Sequence, residues 1–375
     1  MLGCKHVYDV LAEGGISLYA GVPDSLLKSF CAYVADHAEP SRNIITANEG
    51  SAVALAVGHY LATGELGMVY LQNSGLGNTV NPLTSLADPE VYGVPVLLMI
   101  GWRGEPGRKD EPQHVKMGKI TLGALDNLGI AHQVLPEDDA GAADAIRTAI
   151  AYMNEHRAPY ALVVRAGSFE TYKLQREDPA PYPMAREQAL ALILGSMAPG
   201  TPVVATTGMP SREVFELRTL RGESHDSDFL TVGCMGHCSQ IALGAALRRP
   251  GSDLLCIDGD GAALMHLGGL ATIGQVAPPN FKHIVLNNGA HDSVGGQPTV
   301  GFDIDLCAIA TACGYRLALR ADDADALEVR LPELHASQGP ALLEVRIRKG
   351  ARADLGRPTH TPAHTMRRFM EFLRA

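Results

Sequence analysis

An acidic turn and a pair of asparagines are the residues of this sequence best suited to chemistry. Gly259-Asp260-Gly261 and Asn287-Asn288-Gly289 each follow an apolar run, with twenty-five residues between the two segments. Asp260 offers an anionic oxygen and Asn288 a neutral carbonyl oxygen. Mg²⁺ accepts such ligands and keeps its other positions for phosphate oxygens and water. The backbone amides that begin the helical stretch at Gly261 favour an anion. The spacing therefore predicts a site for magnesium and a phosphorylated ligand.

The elements that must position these residues alternate between short β-branched runs and longer helical stretches. Strands are predicted at 16–20, 44–46, 68–72, 96–100, 132–135 and 161–165, and again at 203–206, 229–232, 254–258, 283–286, 316–319 and 342–347. Helices are predicted at 25–38, 50–62, 140–156, 187–197, 262–275 and 365–373. Near-continuous apolar strands between helices indicate parallel sheets covered on both faces. We expect an α/β fold with two doubly wound parallel-sheet domains, whose ligands bind at the carboxyl edges of the strands.

A proline-rich, charged stretch at 168–186 interrupts this alternation and reads as a linker. It predicts a domain at 1–167 and a second at 187–375. The segments Tyr19-Ala-Gly-Val-Pro23 and Thr206-Thr-Gly-Met-Pro210 leave the first strand of each half, 187 positions apart. Such correspondence favours an internal duplication, although any two parallel α/β domains would share some of these turn residues.

Composition excludes several classes of function. The formal net charge is −10, which argues against nucleic-acid or anionic-membrane binding. No apolar run is long enough to cross a membrane, and the N-terminal residues do not resemble a signal peptide. Seven scattered cysteines favour free thiols in the cytoplasm. Cys234, His237 and Cys238 lie close together, but no second ligand pair stands at zinc spacing.

The paired turns resemble the metal motif of thiamine diphosphate enzymes. The resemblance implies thiamine diphosphate and Mg²⁺ as cofactors, with Asp260, Asn288 and the Ala290 carbonyl as metal ligands. It also implies cofactor contacts from Gly261, Ala262 and His291.

Two further segments resemble other parts of the same cofactor site. Thr46-Ala-Asn-Glu-Gly-Ser-Ala52 is similar to the region that holds the activating glutamate, which gives that role to Glu49. The alternative is a solvated glutamate at a helix N-terminus. Gly233-Cys-Met-Gly236 is similar to the segment that holds the cofactor bent, which would place Gly233 and Met235 on the cofactor. The alternative for Met235 is simple core packing.

The short linker leaves no room for the third domain that many thiamine diphosphate decarboxylases carry. The whole chain resembles the phosphonopyruvate and sulfopyruvate decarboxylases, above all in the segment 287–299, NNGAHDSVGGQPT. This implies decarboxylation of 3-phosphonopyruvate to phosphonoacetaldehyde and CO₂. It also implies a homo-oligomer, a dimer or larger, in which Glu49 of one chain acts on cofactor held by another.

Several other functions stay open at this point. One is sulfopyruvate decarboxylation, and another is a thiamine diphosphate carboligase. A third is a non-catalytic thiamine-diphosphate-binding module, although Glu49 and Asp260 are both present. A nicotinamide dehydrogenase is disfavoured because no G-x-G-x-x-G segment opens a helix after a strand.

Candidate substrate residues fall in two places. Basic residues are expected to gather in a glycine- and proline-rich loop after strand 96–100, where they would meet the anionic 2-oxoacid phosphonate: Arg103, Arg108, Lys109, Lys116 and Lys119. His114, in the same loop, and Asp24 lie where related decarboxylases place residues that handle protons. Ser25 beside Asp24 is a candidate substrate contact. The alternatives are solvated loop cations, a surface histidine, and helix capping by Asp24 and Ser25.

Overall fold

The computed structural model describes residues 1–175 and 181–375, which fold into two compact units. The first unit comprises Met1–Glu177 with Val294–Gln297, and the second comprises Asp178–Ser293 with Pro298–Ala375. The bounds 1–167, 168–186 and 187–375 remain our proposed domains and linker. Residues 176–180 of that linker lie outside the described part of the chain.

The first unit is built on a six-stranded parallel sheet. Its strands are β1 (Ile16–Gly21), β2 (Asn43–Ile45), β3 (Leu66–Gln72), β4 (Val96–Gly101), β5 (Ala131–Val134) and β6 (Tyr160–Val164). The strand order is β2-β1-β3-β4-β6-β5. Every residue of β4 is buried, as expected for a strand with helices on both of its faces.

Helices cover both faces of this sheet. They are α1 (Cys4–Glu13), α2 (Lys28–His37), α3 (Glu49–Thr63), α4 (Leu76–Pro82), α5 (Pro112–Asn127) and α6 (Asp139–His156). Apolar residues of α1, α2 and α6 form one buried cluster, and those of α3, α4 and α5 form another. The three layers leave the carboxyl ends of the strands to carry the polar loops.

The second unit repeats the arrangement of the first. Its strands are β7 (Val203–Ala205), β8 (Asp228–Leu230), β9 (Leu254–Gly259), β10 (Phe281–Asn287), β13 (Leu317–Ala321) and β14 (Ala341–Arg346); the short β11 (Ala290–His291) and β12 (Gln297–Pro298) form a separate two-stranded sheet. The parallel strands run in the order β13-β14-β10-β9-β7-β8. Read from the other edge and in order of occurrence, this is the strand order of the first unit, which supports an internal duplication.

The helices of the second unit also lie on both faces of the sheet. They are α7 (Arg186–Ser196), α8 (Met209–Leu220), α9 (Cys238–Ala246), α10 (Asp260–Met265), α11 (Gly269–Val276), α12 (Leu306–Ala312), α13 (Ala324–Ala336) and α14 (Pro362–Arg374). One buried cluster contains residues of α7, α8 and α13, and the other contains residues of α9, α11, α12 and α14. No helix in the described ranges is both long and apolar enough to cross a membrane.

Two local expectations were wrong. The stretch after β4 is not one long loop, because α5 begins at Pro112; proline suits the first helical position, where its missing N–H costs no hydrogen bond. The helix expected at 262–275 is two helices, since the chain leaves helical geometry at His266. The seven cysteines are free, as expected.

Candidate active site

Asp260 begins α10 directly after β9, at the carboxyl edge of the second sheet. Its side chain is only 3% exposed, and burial raises its pKa from 3.8 to about 6, although the Thr299 hydroxyl donates a hydrogen bond to Oδ2. No lysine or arginine of the described chain forms an ion pair with Asp260. A buried carboxylate without a cationic partner fits a divalent metal ion, because buried charges in proteins are paired or bind metals.

The two asparagines that end β10 have different roles. The Asn287 amide donates to the Gly301 carbonyl at 2.7 Å and to Glu344 Oε1 at 2.8 Å, so it holds the edge of the sheet together. The Asn288 amide donates to Asp292 Oδ2 at 3.4 Å, and its Oδ1 accepts from the Ala290 N–H at 3.1 Å. Both side chains are buried. Asn288 is therefore held in one orientation beside the Asp260 turn.

The remaining residues of this edge suit a phosphate ligand. Ala262 and Ala290 are buried. Because their methyl side chains are small, the backbone atoms of these residues can line the turn. A Cβ on Gly261 would lie 3.1 Å from the His291 ring, which places that ring against the first turn of α10. Burial lowers the pKa of His291 to about 4, so its imidazole is neutral near pH 7. A neutral imidazole can donate a hydrogen bond to a phosphate oxygen without carrying charge.

The Gly233–Gly236 segment lies in the loop after β8. Cys234 has φ of 60° and Gly236 has φ of 86°, and the Met235 side chain is half-buried. The Met235 carbonyl contacts His237 Nδ1 at 3.2 Å. These facts place Gly233 and Met235 in a tightly turned segment that precedes α9, where a half-exposed apolar side chain is available to a ligand.

Glu49 opens α3 at the carboxyl edge of the first sheet. Asn48 caps this helix by accepting a hydrogen bond from the Ser51 N–H. The Glu49 carboxyl is 4% exposed, and burial raises its pKa, while the Asn78 amide donates to Oε2 at 2.7 Å. Gly75 lies so close that a Cβ there would be 2.1 Å from Glu49 Oε1. A glycine is thus required for this carboxyl to reach its place.

Asp24 follows β1 at the same edge of the first sheet. It is fully buried, and burial raises its pKa, while Gln72 Nε2 donates to its Oδ1 at 2.7 Å. Ser25 does not cap α2; its hydroxyl instead contacts Asp24 and accepts a hydrogen bond from Arg103 Nη1 at 2.8 Å. Arg103 also donates from Nε to Asp110 Oδ2 at 2.8 Å. The structure therefore brings the predicted residues Asp24, Ser25 and Arg103 together, with Asp110 compensating the arginine.

The other predicted cations do not form one group. Arg108 pairs with Glu105, with Nε 3.0 Å from Oε2, and donates to the Ala166 carbonyl. Lys109 is exposed, and Lys116 is exposed on α5 rather than in a loop. His114 is half-buried on the first turn of the same helix.

The sequence interpretation missed the residues that hold the candidates in place. They are Gln72, Gly75 and Asn78 in the first unit and Thr299 and Asp292 in the second. Gln72 and Gly75 lie in the polar segment at the end of β3, so their position at a carboxyl edge could have revealed them.

Comparison with known proteins agrees with this geometry. Residues 1–125 match the thiamine pyrophosphate enzyme N-terminal TPP-binding domain, and residues 206–345 match the C-terminal TPP-binding domain. A phosphonopyruvate decarboxylase of Streptomyces viridochromogenes is 37% identical over 100% of this chain and 95% of its own length. The chain belongs to the phosphonopyruvate decarboxylase family of thiamine pyrophosphate enzymes.

Two more relatives are similar to the chain over nearly its whole length. A phosphonopyruvate decarboxylase of Streptomyces hygroscopicus is 39% identical over 99% of this chain and 94% of its own length. A sulfopyruvate decarboxylase of Methanosarcina acetivorans is 26% identical over 98% of this chain and 97% of its own length. The two matched domains contain Glu49 and the Asp260 and Asn288 turns, and no third domain lies between them.

Proposed function

We propose that this protein decarboxylates 3-phosphonopyruvate to phosphonoacetaldehyde and CO₂ with thiamine diphosphate and Mg²⁺. The observation that carries the proposal is the buried, cation-free Asp260 carboxyl at a strand-to-helix turn, beside an oriented Asn288, in a phosphonopyruvate decarboxylase relative. In the reaction the bond between the carboxyl and carbonyl carbons breaks, and a proton is added at the former carbonyl carbon.

The second unit carries the residues that would bind the cofactor. Asp260, Asn288 and the Ala290 carbonyl would hold Mg²⁺, and the backbone of Gly261 and Ala262 with the His291 ring would meet the diphosphate. Gly233 and Met235 would contact the rest of the cofactor. Bound thiamine diphosphate supplies an electron sink for the pair released when the carboxylate leaves.

Glu49 would act as the proton-exchanging acid. Burial raises its pKa, which favours the protonated form, and general acids work best with a pKa near the working pH. Because Asn78 occupies Oε2, Oε1 is the oxygen best placed to exchange that proton. Asp24 has the same two properties, burial and a raised pKa, and we assign it a proton-handling role on the substrate.

The substrate carries both a carboxylate and a phosphonate, so it needs cations in a protein with a net charge of −10. Arg103 is the best placed of the candidates, since it contacts Ser25 and lies beside Asp24. Arg108, Lys109, Lys116 and His114 remain secondary candidates. Selectivity for phosphonate over sulfonate would come from these residues.

We also propose a homo-oligomer, a dimer or larger, in which Glu49 of one chain serves the cofactor bound by the partner. The support is the resemblance to the family. In an assembly of this kind each active site requires the first unit of one chain and the second unit of another.

The first test is CO₂ release by apo-protein, with and without thiamine diphosphate and Mg²⁺, from phosphonopyruvate, sulfopyruvate and pyruvate. We expect release only with both cofactors and chiefly from phosphonopyruvate. A preference for sulfopyruvate would overturn the substrate, and release from none would overturn the activity.

Two variants test the roles of the residues in the same assay. Glu49→Gln should keep cofactor binding and lose turnover, because general acid–base catalysis contributes about 10²–10⁴-fold. Asp260→Ala should lose Mg²⁺-dependent binding of thiamine diphosphate. Full activity in Glu49→Gln would remove the proposed role of this carboxyl.

A further inference from the structure

A second group of metal-ligating side chains lies inside the second unit, away from solvent. Cys256 and Asp258 are on β9, and His283 is on β10, where it is the register partner of Cys256. Their ligand atoms, one sulfur, one carboxylate oxygen and one ring nitrogen, lie within 4.8 Å of one another. All three residues are at most 1% exposed. This Cys256–Asp258–His283 cluster takes no part in the proposed decarboxylation.

The imidazole of His283 has the arrangement of a metal ligand. Its Nδ1 is hydrogen-bonded to the Tyr315 hydroxyl at 3.1 Å, whereas its buried Nε2 has no hydrogen-bond partner. Nε2 lies 3.7 Å from Asp258 Oδ2 and so points into the cluster. A histidine that binds a metal through one nitrogen commonly uses the other to bond a neighbouring polar group, which fixes the ring. Apart from this charge contact inside the cluster, the buried nitrogen makes no hydrogen bond, which is otherwise costly.

A candidate fourth ligand lies beside this cluster, at the beginning of α9. Cys238 Sγ lies 3.7 Å from Cys256 Sγ, and both thiols are buried. Two sulfurs each about 2.3 Å from one tetrahedral ion lie about 3.8 Å apart. The observed separation is far longer than a disulfide bond of about 2.0 Å. The two sulfurs are therefore close enough to share one ion and are not covalently linked, although Cys238 Sγ lies outside the group of ligand atoms that are all within 4.8 Å of one another.

We propose that Cys256, Asp258 and His283 bind one zinc ion, and that Cys238 turns its side chain to supply the fourth ligand. Two sulfurs, one nitrogen and one oxygen suit zinc, whereas magnesium prefers oxygen ligands. Two thiolates and one carboxylate around Zn²⁺ with a neutral histidine carry one net negative charge, the same as the common Cys₃His site. The Asp260 and Asn288 turns offer only oxygen, so the two metal sites differ in chemistry.

The zinc ion would join three elements directly beneath the cofactor edge. Asp258 precedes Asp260 by two residues on the same segment, and β10 ends in Asn287. Fixing α9, β9 and β10 to one ion would stabilise the turns that carry the cofactor ligands. With four protein ligands the ion has no open position, so its role is structural.

The experiment uses the full-length protein with Mg²⁺ in excess, so that the oxygen site is filled. Zinc is removed with a chelator selective for zinc, and Co²⁺ is then titrated in while the absorption spectrum is recorded. We expect one equivalent of cobalt to give thiolate-to-cobalt charge-transfer bands and the ligand-field bands of tetrahedral coordination. Zinc added afterwards should bleach both sets of bands.

Variants separate this site from any other cobalt site. Cys256→Ser should abolish the charge-transfer bands or weaken them strongly, and His283→Gln should lower zinc affinity. Tyr315→Phe should lower zinc affinity about 10- to 100-fold while the site stays intact, as outer-shell changes do. Cys313→Ser, in the same unit but outside the cluster, is the matched control and should change nothing.

Three results would overturn the proposal. One is the absence of thiolate-to-cobalt bands in the wild-type protein at one equivalent. Another is a spectrum unaltered by Cys256→Ser. If that variant does not fold, the third result is an unchanged zinc affinity in both His283→Gln and Tyr315→Phe, which would also overturn the proposal. Each readout reports metal binding and does not depend on decarboxylase activity.

Discussion

At the scale of single residues, the position of the Glu49 carboxyl depends on Gly75, because any side chain at that residue would collide with the carboxyl. Gly75 has ordinary helical backbone angles, yet a Cβ there would lie 2.1 Å from Oε1 and 2.5 Å from the carboxyl carbon. Such a contact cannot be accommodated without moving the carboxyl. The proposed catalytic carboxyl is therefore positioned by the missing side chain of Gly75, which a search of the sequence for interacting residue pairs would not reveal.

We expect Gly75→Ala to reduce kcat by at least about tenfold. General acid–base catalysis contributes about 10²–10⁴-fold, and it requires the carboxyl to lie within hydrogen-bond distance of the group with which it exchanges a proton. The affinity for thiamine diphosphate should change little, because we assign the diphosphate contacts to residues of the second unit. Steady-state kinetics and calorimetric titration of the cofactor would measure both. Gly77→Ala is the matched control, because a Cβ there would meet nothing within 4 Å. Equal kcat in the two variants would contradict the prediction.

Thr299 gives a second prediction at this scale. Its hydroxyl donates to Asp260 Oδ2, so it orients the carboxyl that we assign to Mg²⁺. Thr299→Val keeps the shape and removes the donor, and outer-shell changes of this kind typically cost about 10- to 100-fold in metal affinity. Titration of Mg²⁺ at saturating thiamine diphosphate would measure the loss. Thr311→Val, on an exposed turn of α12, should leave the affinity unchanged; a similar loss there would mean that the effect is not specific to the site.

At the scale of elements, α8 is joined to β8 by a buried ion pair. Arg218 donates from Nε to Asp228 Oδ2 at 3.2 Å and from Nη2 to Oδ1 at 3.1 Å. Burial raises the pKa of Asp228 from 3.8 to about 6, although Arg218 acts in the opposite direction. A raised pKa in the folded state means that Asp228 favours folding most below pH 3.8. This contribution is lost as the pH rises through about 6.

We expect Arg218→Met to destabilise the protein by about 3–5 kcal/mol at pH 8, because it leaves a buried carboxylate unpaired. The loss should be smaller at pH 5, where Asp228 is largely protonated. Urea denaturation at the two pH values would measure the difference. The double variant Arg218→Met/Asp228→Asn has no buried acid and should lose this pH dependence; an equal loss in the single variant at both pH values would refute the argument.

The sequence predicted elements better than it predicted their ends and contacts. All twelve strands of the two parallel sheets lie within two residues of their expected positions, because apolar runs such as Val96–Gly101 are buried on both faces. The sequence interpretation missed α5 because the glycines and prolines that precede and include Pro112 are typical of a loop. The break at His266 lies just before Gly268-Gly269, a glycine pair that disfavours a continuous helix and that the sequence interpretation did not weigh. The zinc cluster needs the β9–β10 register and the beginning of α9, and spacing alone does not bring Cys238 to Cys256.

At the scale of the whole molecule, one pattern unites the two units. Each has the same strand order, and each places its candidate acid where a parallel strand is followed by a helix. Glu49 opens α3 in one unit, and Asp260 opens α10 in the other. In the proposed mechanism, one copy of the fold supplies a proton-exchanging carboxyl and the other supplies a metal-binding carboxyl. Because the two roles lie in different units, they can be supplied by different chains.

Complementation between inactive chains tests whether the two roles are supplied by different chains. Chains with Glu49→Gln and chains with Asp260→Ala carry different tags, are produced together, and are purified through both tags in turn. In a two-fold symmetric dimer with shared sites, one site has both wild-type groups and the other has neither, so about half of the wild-type activity should return. Two differently tagged Glu49→Gln chains are the control and should stay inactive. An inactive mixed dimer, or a fully active monomer in sedimentation, would mean that each chain completes its own site.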